Sequence, residues 1–401
     1  MPMEHTPDDA STYGLLGASA DKRQVHRAVK AVPPSIFPGA FCRVLPDLFG
    51  GDEAMCVISH SDSAGTKCIV GYLAWRETGE AAALAGLATD AAVMNLDDVC
   101  CAGARGPFVL SNTIARNYRL VDGEAIKAVI EGYLAFAERM EKWGVRVEMA
   151  GGETEDLGDI VRTLTVGATL TVRCRRDEIV DNSRIRPGDA IIGVSSTGKA
   201  AWEDEENSGI SSNGLTLARH RLLHRSYLEK YPEIADPGLG GGLAYTGPYR
   251  LEDPLPGSES TVGEAVLTPT RTYAPFILAL LGELGQAVHG LVHLTGGGQA
   301  KNLGFGKGIH YVKAEMFEVP PVFEAVRTAS EPHIPWREMY RVFNMGHRLE
   351  VMVPPKYARA VMETAAGFGL DARVVGRCEE NEGGGNRVTV RTPEGDESYT
   401  A

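Results

Sequence analysis

Apolar positions along the chain follow two rhythms. The first is clearest at 124–143, E-A-I-K-A-V-I-E-G-Y-L-A-F-A-E-R-M-E-K-W, where Ile126, Val129, Ile130, Tyr133, Phe136, Ala137 and Met140 recur at steps of three and four. That spacing predicts a helix with one apolar face, stopped at Gly144. The second rhythm is alternation: V-R-V-E-M (145–149) and I-V-R-T-L-T-V-G-A-T-L-T-V-R-C (160–174) place β-branched residues at every other position, as strands of a sheet do. Between these two strands A-G-G-E-T-E-D reads as a turn. Residues 55–75 read as two strands around a small-residue turn, 81–95 as an Ala/Leu-rich helix, and 1–40 as loosely ordered around Pro33, Pro34 and Pro38.

The second half repeats the alternation of strand and helix. Strands are expected at 190–196, 288–295, 372–376 and 387–391, and helices at about 214–229, 272–287 and 355–368. Residues 231–265 form a long Gly/Pro-rich loop and 382–386 a tight turn. The polar Pro-Gly stretch at 175–190 sets a domain boundary, giving an α/β chain of two domains, 1–175 and 176–401. A length of 401 residues is long for one core and agrees with two.

A net charge of −13 argues against a nucleic-acid or anionic-membrane partner, which would want a basic face. It leaves room for a phosphorylated small molecule held by local loops and a metal. The seven Cys form no C-x-x-C pair and mostly sit in apolar runs, so they read as small buried hydrophobes in a reducing compartment. With no charged-then-apolar leader pattern and no 18-residue apolar run, a cytoplasmic protein is expected.

The turn I-S-H-S-D-S-A-G-T-K-C-I-V (58–70) carries the first candidate chemistry. It is not a P-loop, because the Thr precedes the Lys, the first Gly is missing and Cys68-Ile69-Val70 reads as more strand. Ser61, Ser63 and Thr66 offer hydroxyls, Gly65 offers backbone N–H groups, and Lys67 offers a charge for phosphate or a solvated surface amine. Asp62, the pair Asp97-Asp98 and Glu153 stand where strands or helices give way to turns. Scattered carboxylates of this kind suit Mg²⁺ better than a His/Cys cluster would; each alone is equally a helix cap or an arginine partner. The stretch H-L-T-G-G-G-Q-A-K-N (293–302) presents three glycines after a strand, either an anion cradle or a flexible turn. S-S-N-G (211–214) opens a helix as a pocket edge or a plain N-cap. His289 and His293 lie on one face of a strand and read as hydrogen-bonded core residues rather than metal ligands. Spacing alone reaches an Mg²⁺- and phosphate-using two-domain α/β enzyme.

Several motifs taken together resemble the aminoimidazole ribonucleotide synthetase (phosphoribosylformylglycinamidine cyclo-ligase) family. D-S-A-G-T-K (62–67) is similar to its D-G-V-G-T-K, and M-N-L-D-D-V-C-C-A-G-A (94–104) to its M-x-x-N-D-L-x-x-x-G-A. G-G-E-T (151–154), D-E-I-V-D-N-S-R-I-R-P-G-D (177–189), S-N-G (212–214), L-T-P-T-R-T-Y (267–273), H-L-T-G-G-G (293–298) and M-Y-R-V-F-N-M-G (339–346) follow in order. The resemblance implies an N-terminal ATP- and Mg²⁺-binding domain whose sheet pairs across a homodimer into a barrel, and a C-terminal substrate domain. It implies ring closure of formylglycinamidine ribonucleotide by way of a phosphorylated formamide oxygen, releasing ADP and phosphate. Asp62, Asp97, Asp98 and Glu153 would be metal residues, and Ser63, Gly65, Thr66, Lys67, Gly151 and Gly152 nucleotide contacts. Ser211, Ser212, Asn213, Thr295, Gly296, Gly297, Gly298 and Asn302 would line the ribonucleotide, with Lys67, Asp98 and Asn213 acting in catalysis. A related small-molecule kinase of the same superfamily and a non-catalytic nucleotide-binding dimer are the alternatives.

Five departures from the family pattern stand out. Ser211 replaces a His before S-N-G, G-K-A-A-W-E-D-E-E-N-S (198–208) is inserted, Gly14 replaces a Lys, Asp97 stands where the family has Asn, and His347-Arg348 follow F-N-M-G where small residues are usual. The insertion is expected to be either a lid, with Trp202 packing and Lys199 reaching phosphate, or an acidic surface loop.

Overall fold

The computed structural model describes residues 11–19, 28–29, 31–240 and 242–400. Much of the segment expected to be loosely ordered, 1–40, lies outside them. Five strands build the first sheet: β1 (Val44–Pro46), β2 (Met55–Ser63), β3 (Phe108–Arg116), β4 (Val147–Asp156) and β5 (Leu164–Arg175), in the spatial order β1-β2-β5-β3-β4. The alternation read in β5 buries Leu164, Val166, Ala168, Leu170, Val172 and Cys174 on one face. That face packs on the helix Ala85–Cys101, which in turn packs on the helix Gly123–Lys142. Asp122 caps the latter, its Oδ1 accepting from the Ala125 N–H at 2.9 Å. Its apolar face buries Val129, Tyr133, Phe136 and Met140, whereas Ile130 is 40% exposed. The opposite face of the sheet carries Ser59, Ser61 and Val109, all exposed. The sheet is open, so the expected barrel does not form within one chain.

The second sheet contains β6 (Ala190–Ser195), β9 (Gly290–His293), β10 (Ile309–Lys313), β11 (His347–Val353), β12 (Ala372–Glu380), β13 (Arg387–Thr392) and β14 (Gly395–Thr400), ordered β14-β13-β10-β12-β6-β11-β9. Between β6 and the helix Leu215–Leu222 lies a small hairpin of β7 (Thr197–Gly198) and β8 (Asn207–Ser208). β11 is buried along its whole length and holds Glu350 against Lys313 of β10, Nζ to Oε1 2.7 Å, with both side chains fully buried. All seven cysteines are buried thiols. Among the described residues no helix is long and apolar enough to cross a membrane.

Several local expectations change. Cys68-Ile69-Val70 belong to a helix, Lys67–Thr78, not to a strand. Lys67, Cys68, Val70, Gly71, Tyr72, Leu73 and Ala74 are all buried, so this helix lacks a polar face and its β-branched residues mimic a strand. A-G-G-E-T-E-D is not a turn but the continuation of β4, with a register shift opposite Leu110 and Asn112. Asp97 and Asp98 lie inside the Ala85–Cys101 helix rather than at its break. The helix expected at 214–229 is two, Leu215–Leu222 and Ser226–Lys230. Leu223 is extended between them, and His224 N–H donates to the Tyr249 carbonyl, so the long loop docks at the break. β14 follows a polar stretch with no alternating apolar signal and pairs with β13.

His220 makes the fold acid-sensitive. Burial, then the charge of Arg219, pushes its imidazole down to about 3, and its Nδ1 accepts from the Tyr245 N–H at 3.2 Å. A histidine with a folded value below its unfolded one contributes stability above about pH 6.5 that is lost as the pH falls towards 3. By pH 4 the expected loss is about 3 kcal/mol from this group. Urea titrations at pH 7, 5.5 and 4 check this: His220→Gln should fall less steeply than the parent protein, and parallel curves would refute it.

Candidate active site

Three glycine turns meet where the two sheets' domains abut. The D-S-A-G-T turn leaves the end of β2, with the Ser63 N–H donating to Asp62 Oδ1 at 2.7 Å and the Gly65 N–H to Ser63 Oγ at 3.3 Å. Gly65 adopts a left-handed φ of 59°, and a Cβ built there would first approach the Ser212 carbonyl oxygen, at 4.0 Å. Thr66 Oγ1 lies 2.9 Å from Thr216 Oγ1 of the Leu215–Leu222 helix. The turn of the first domain thus faces S-S-N-G of the second.

The segment Phe343–Gly346 braces S-S-N-G and T-G-G-G together. A Cβ at Gly214 would come 2.4 Å from the Phe343 ring, and one at Gly298 would come 2.6 Å from the Tyr340 carbonyl and 2.7 Å from that of Phe343. Only glycine tolerates those approaches at left-handed φ values of 77° and 51°. Asn344 accepts from Ser196 Oγ at 2.8 Å and donates to the Gly209 carbonyl at 2.8 Å, tying the brace to β6. Asn213 Oδ1 is buried without a donor, an orphan acceptor at the edge of the S-S-N-G turn.

Asp98 and His293 form the charged base of the site. His293 Nδ1 is 2.6 Å from Asp98 Oδ1, and His60 Nε2 is 3.4 Å from Asp98 Oδ2. Burial would raise the Asp98 carboxyl, but the His293 hydrogen bond, with Lys301 and His60 nearby, holds it below its usual range. Burial and Arg348 push His293 down to about 4, against the pull of Asp98. At neutral pH the pair is therefore a carboxylate accepting from a neutral imidazole. Lys301 Nζ donates to Thr295 Oγ1 and lies 5.0 Å over the Phe41 ring.

Other expected site residues face elsewhere. Lys67, expected on ATP phosphates, is fully buried: a helix begins there and turns its Nζ to Asp90 Oδ1, at 3.0 Å, and to the Thr268 carbonyl. Asn302 is fully buried and looks into the core, donating to Glu350 Oε2 at 2.8 Å and accepting from Lys313 Nζ at 2.9 Å. Asp97 accepts from Thr272 Oγ1 at 2.6 Å and the Tyr273 N–H at 3.0 Å, and burial pushes it up to about 7 despite Arg348. Asp62 of β2 and Gly152 of β4 are separated by β5 and β3, a span of about 14 Å at ladder spacing, with Gly151 and Glu153 exposed beside Gly152. Among the described residues no group of three or more His, Cys, Asp or Glu gathers to hold a metal ion, so the expected four-carboxylate set is corrected. Asp62 alone keeps an exposed carboxylate beside the turn, which fits Mg²⁺ held by one carboxylate and phosphate oxygens.

Five further residues carry site contacts: His60, Lys301 and Arg271, to which the sequence assigns no role, His293, which it reads as a hydrogen-bonded core residue, and Arg348, which it marks only as a departure from the family pattern. The period of two in β2 puts His60 and Asp62 on one sheet face, and that signal was available. The partners of His293 and Arg348 lie 195 and 137 residues away and left none.

The pattern of the family described as AIR synthase related protein matches residues 44–172 with its N-terminal domain and 186–388 with its C-terminal domain. The chain is 32% identical over 305 residues to the phosphoribosylformylglycinamidine cyclo-ligase of Methanothermobacter thermautotrophicus, covering 76% of this chain and 75% of that one. It is 29% identical over 387 residues to the protein of the same name from Geotalea daltonii, covering 93% and 96%. In fold it is similar to the crystal structure of phosphoribosylformylglycinamidine synthase II from Thermotoga maritima, with TM-score 0.53 and 16% identity. That alignment covers 98% of this chain and 50% of the solved one, so the chain spans half the length of this structural relative.

Proposed function

The chain belongs to the AIR synthase related protein family, and from that premise we infer that it closes the imidazole ring of aminoimidazole ribonucleotide. It is an ATP-dependent cyclo-ligase of purine biosynthesis. ATP phosphorylates the formamide oxygen of formylglycinamidine ribonucleotide, a ring nitrogen attacks the iminophosphate carbon, and ADP and phosphate are released. Such chemistry asks for charge neutralisation and alignment of two ligands rather than a protein nucleophile. The observation that supports it best is the meeting of the D-S-A-G-T and S-S-N-G turns, Thr66 against Thr216 at 2.9 Å, which brings a nucleotide loop to a substrate loop.

In this reading residues 1–175 bind ATP and form the dimer, and 176–401 bind the ribonucleotide. Ser63, Gly65 and Thr66 contact the nucleotide phosphates, and the N–H groups of Thr295–Gly298 take the 5′-phosphate. Asn213 Oδ1 accepts from the amidine N–H, which would satisfy its orphan position. Asp98 and His293 order the reacting amide. Mg²⁺, held by Asp62 with phosphate oxygens, would supply charge neutralisation at the transferred phosphoryl group. A second copy covering the open Ser/Thr face of the first sheet completes a barrel and brings its β4, with Gly151, Gly152 and Glu153, to the nucleotide end. The protein works in the cytoplasm as that homodimer.

Purified protein given ATP, Mg²⁺ and formylglycinamidine ribonucleotide is expected to yield equal amounts of ADP and a diazotisable aminoimidazole. ADP release without aminoimidazole would point to a different phosphoryl acceptor and overturn this reading.

A further inference from the structure

Three of the departures from the family pattern turn out to be one connected structure. The inserted hairpin is not loose: Trp202 is 5% exposed and packs between Trp143 of the first domain and Phe368 of the second, with ring centroids 5.8 and 5.7 Å away. Asp204 pairs with Arg139 at 2.8 Å, and Lys199 donates to the Asp204 carbonyl. Inside the hairpin Glu203 grips Arg271, whose Nε lies 3.0 and 3.1 Å from its two oxygens. The Arg271 guanidinium also donates to the carbonyls of Ser195, Thr197 and Gly198, which ties it to the end of β6 and to β7.

The Arg271 carbonyl accepts from Arg348 Nη2, and Arg348 Nη1 donates to Ser211 Oγ at 3.2 Å. The Arg348 guanidinium is 1% exposed, lies 5.4 Å from the Tyr273 ring and 3.8 Å from Asp97 Oδ2. Ser211 has a φ of 64°, a left-handed conformation that a side chain rarely adopts unless its surroundings impose it. Two residues on stands Asn213, whose buried Oδ1 has no donor.

We propose that Arg348 is a positioning residue for the ribonucleotide: it holds Ser211 left-handed and so aims Asn213, and the hairpin's Glu203, through Arg271, sets Arg348. The hairpin is a strut, not a lid. This rests on the cyclo-ligase reading for its kinetic effect, but the relay itself has a readout that does not.

Hydrogen–deuterium exchange and steady-state kinetics on the full-length protein test it together. In Ser211→Ala, which removes one hydroxyl and leaves the buried charges paired, amide exchange over 209–216 should quicken about tenfold while 290–300 is unchanged. Its kcat/KM for formylglycinamidine ribonucleotide should fall about tenfold with the KM for ATP within about twofold. Ser211→Gly, which adopts the left-handed region freely, should recover part of that loss. Arg348→Lys and Glu203→Gln should repeat the pattern, and Arg348→Lys added to Ser211→Ala should cost little more than either alone. Unchanged exchange over 209–216 in both Ser211→Ala and Arg348→Lys would overturn the relay. If the parent protein makes no aminoimidazole, the cyclo-ligase reading has failed, and the exchange data still decide the relay.

Discussion

Asp98→Asn is expected to lower kcat about a hundredfold to ten-thousandfold, the range for losing a group that orders or moves a proton in the reaction. Asn keeps the shape of the side chain and can still accept from His293 Nδ1, now at 2.6 Å from Asp98 Oδ1. What it removes is the negative charge that burial opposes and that His293, Lys301 and His60 sustain. Loss of turnover would therefore report charge rather than geometry. Saturating-substrate kinetics with a melting curve of the same preparation make the check. A kcat within threefold of the parent protein's would remove Asp98 from the reacting centre. His293→Gln should show a similar loss, because the neutral imidazole donating to Asp98 is what fixes that carboxylate's direction.

Lys313→Met is expected to lower stability by about 3–5 kcal/mol, the cost of stranding a buried charge. Lys313 and Glu350 are both fully buried, 2.7 Å apart, and Lys313 Nζ also donates to the Gln299 carbonyl and to Asn302 Oδ1 at 2.9 Å. Glu350 is further held by Asn302 Nδ2 at 2.8 Å and His347 Nε2 at 2.9 Å. Burial raises the Glu350 carboxyl, yet Lys313 and His347 overcome this and hold it down at about 2. The Met variant leaves that carboxylate with no cation inside the sheet. Urea unfolding measures the loss, and Glu350→Gln in the same chain should return part of it, because the unpaired charge is then gone. A loss under about 1 kcal/mol would mean that the site repacks or hydrates.

The same network explains why Asn302 was misread. In sequence it follows three glycines and a lysine, as a phosphate contact would; in space the 3₁₀ turn Gly298–Gly304 rolls it inward under the glycines. It supports the T-G-G-G turn from below rather than lining it. Lys67 follows the same logic. Its motif pointed to phosphate, but the chain enters a helix at that residue, and the side chain is swung to Asp90 in the core. Asp97 differs from its neighbour Asp98 for a geometric reason as well. Successive helical positions are rotated by about 100°, so one carboxylate meets Thr272 and Tyr273 while the other meets His293.

By itself the sequence determined the α/β character of both halves, the apolar face of the 123–142 helix and the buried row of β5. It also determined the order of glycine-bearing motifs that marks the family, because each of these is written in local spacing. Periodicity records which positions are covered; it carries no record of what covers them. Only the tertiary structure decided that Ser211 meets Arg348, that Glu203 reaches it through Arg271, and that Lys67 and Asn302 face the core. Those contacts join residues 137, 77, 68, 23 and 48 positions apart. A hydrogen bond between such distant groups exists only once packing has excluded the water that would otherwise satisfy both.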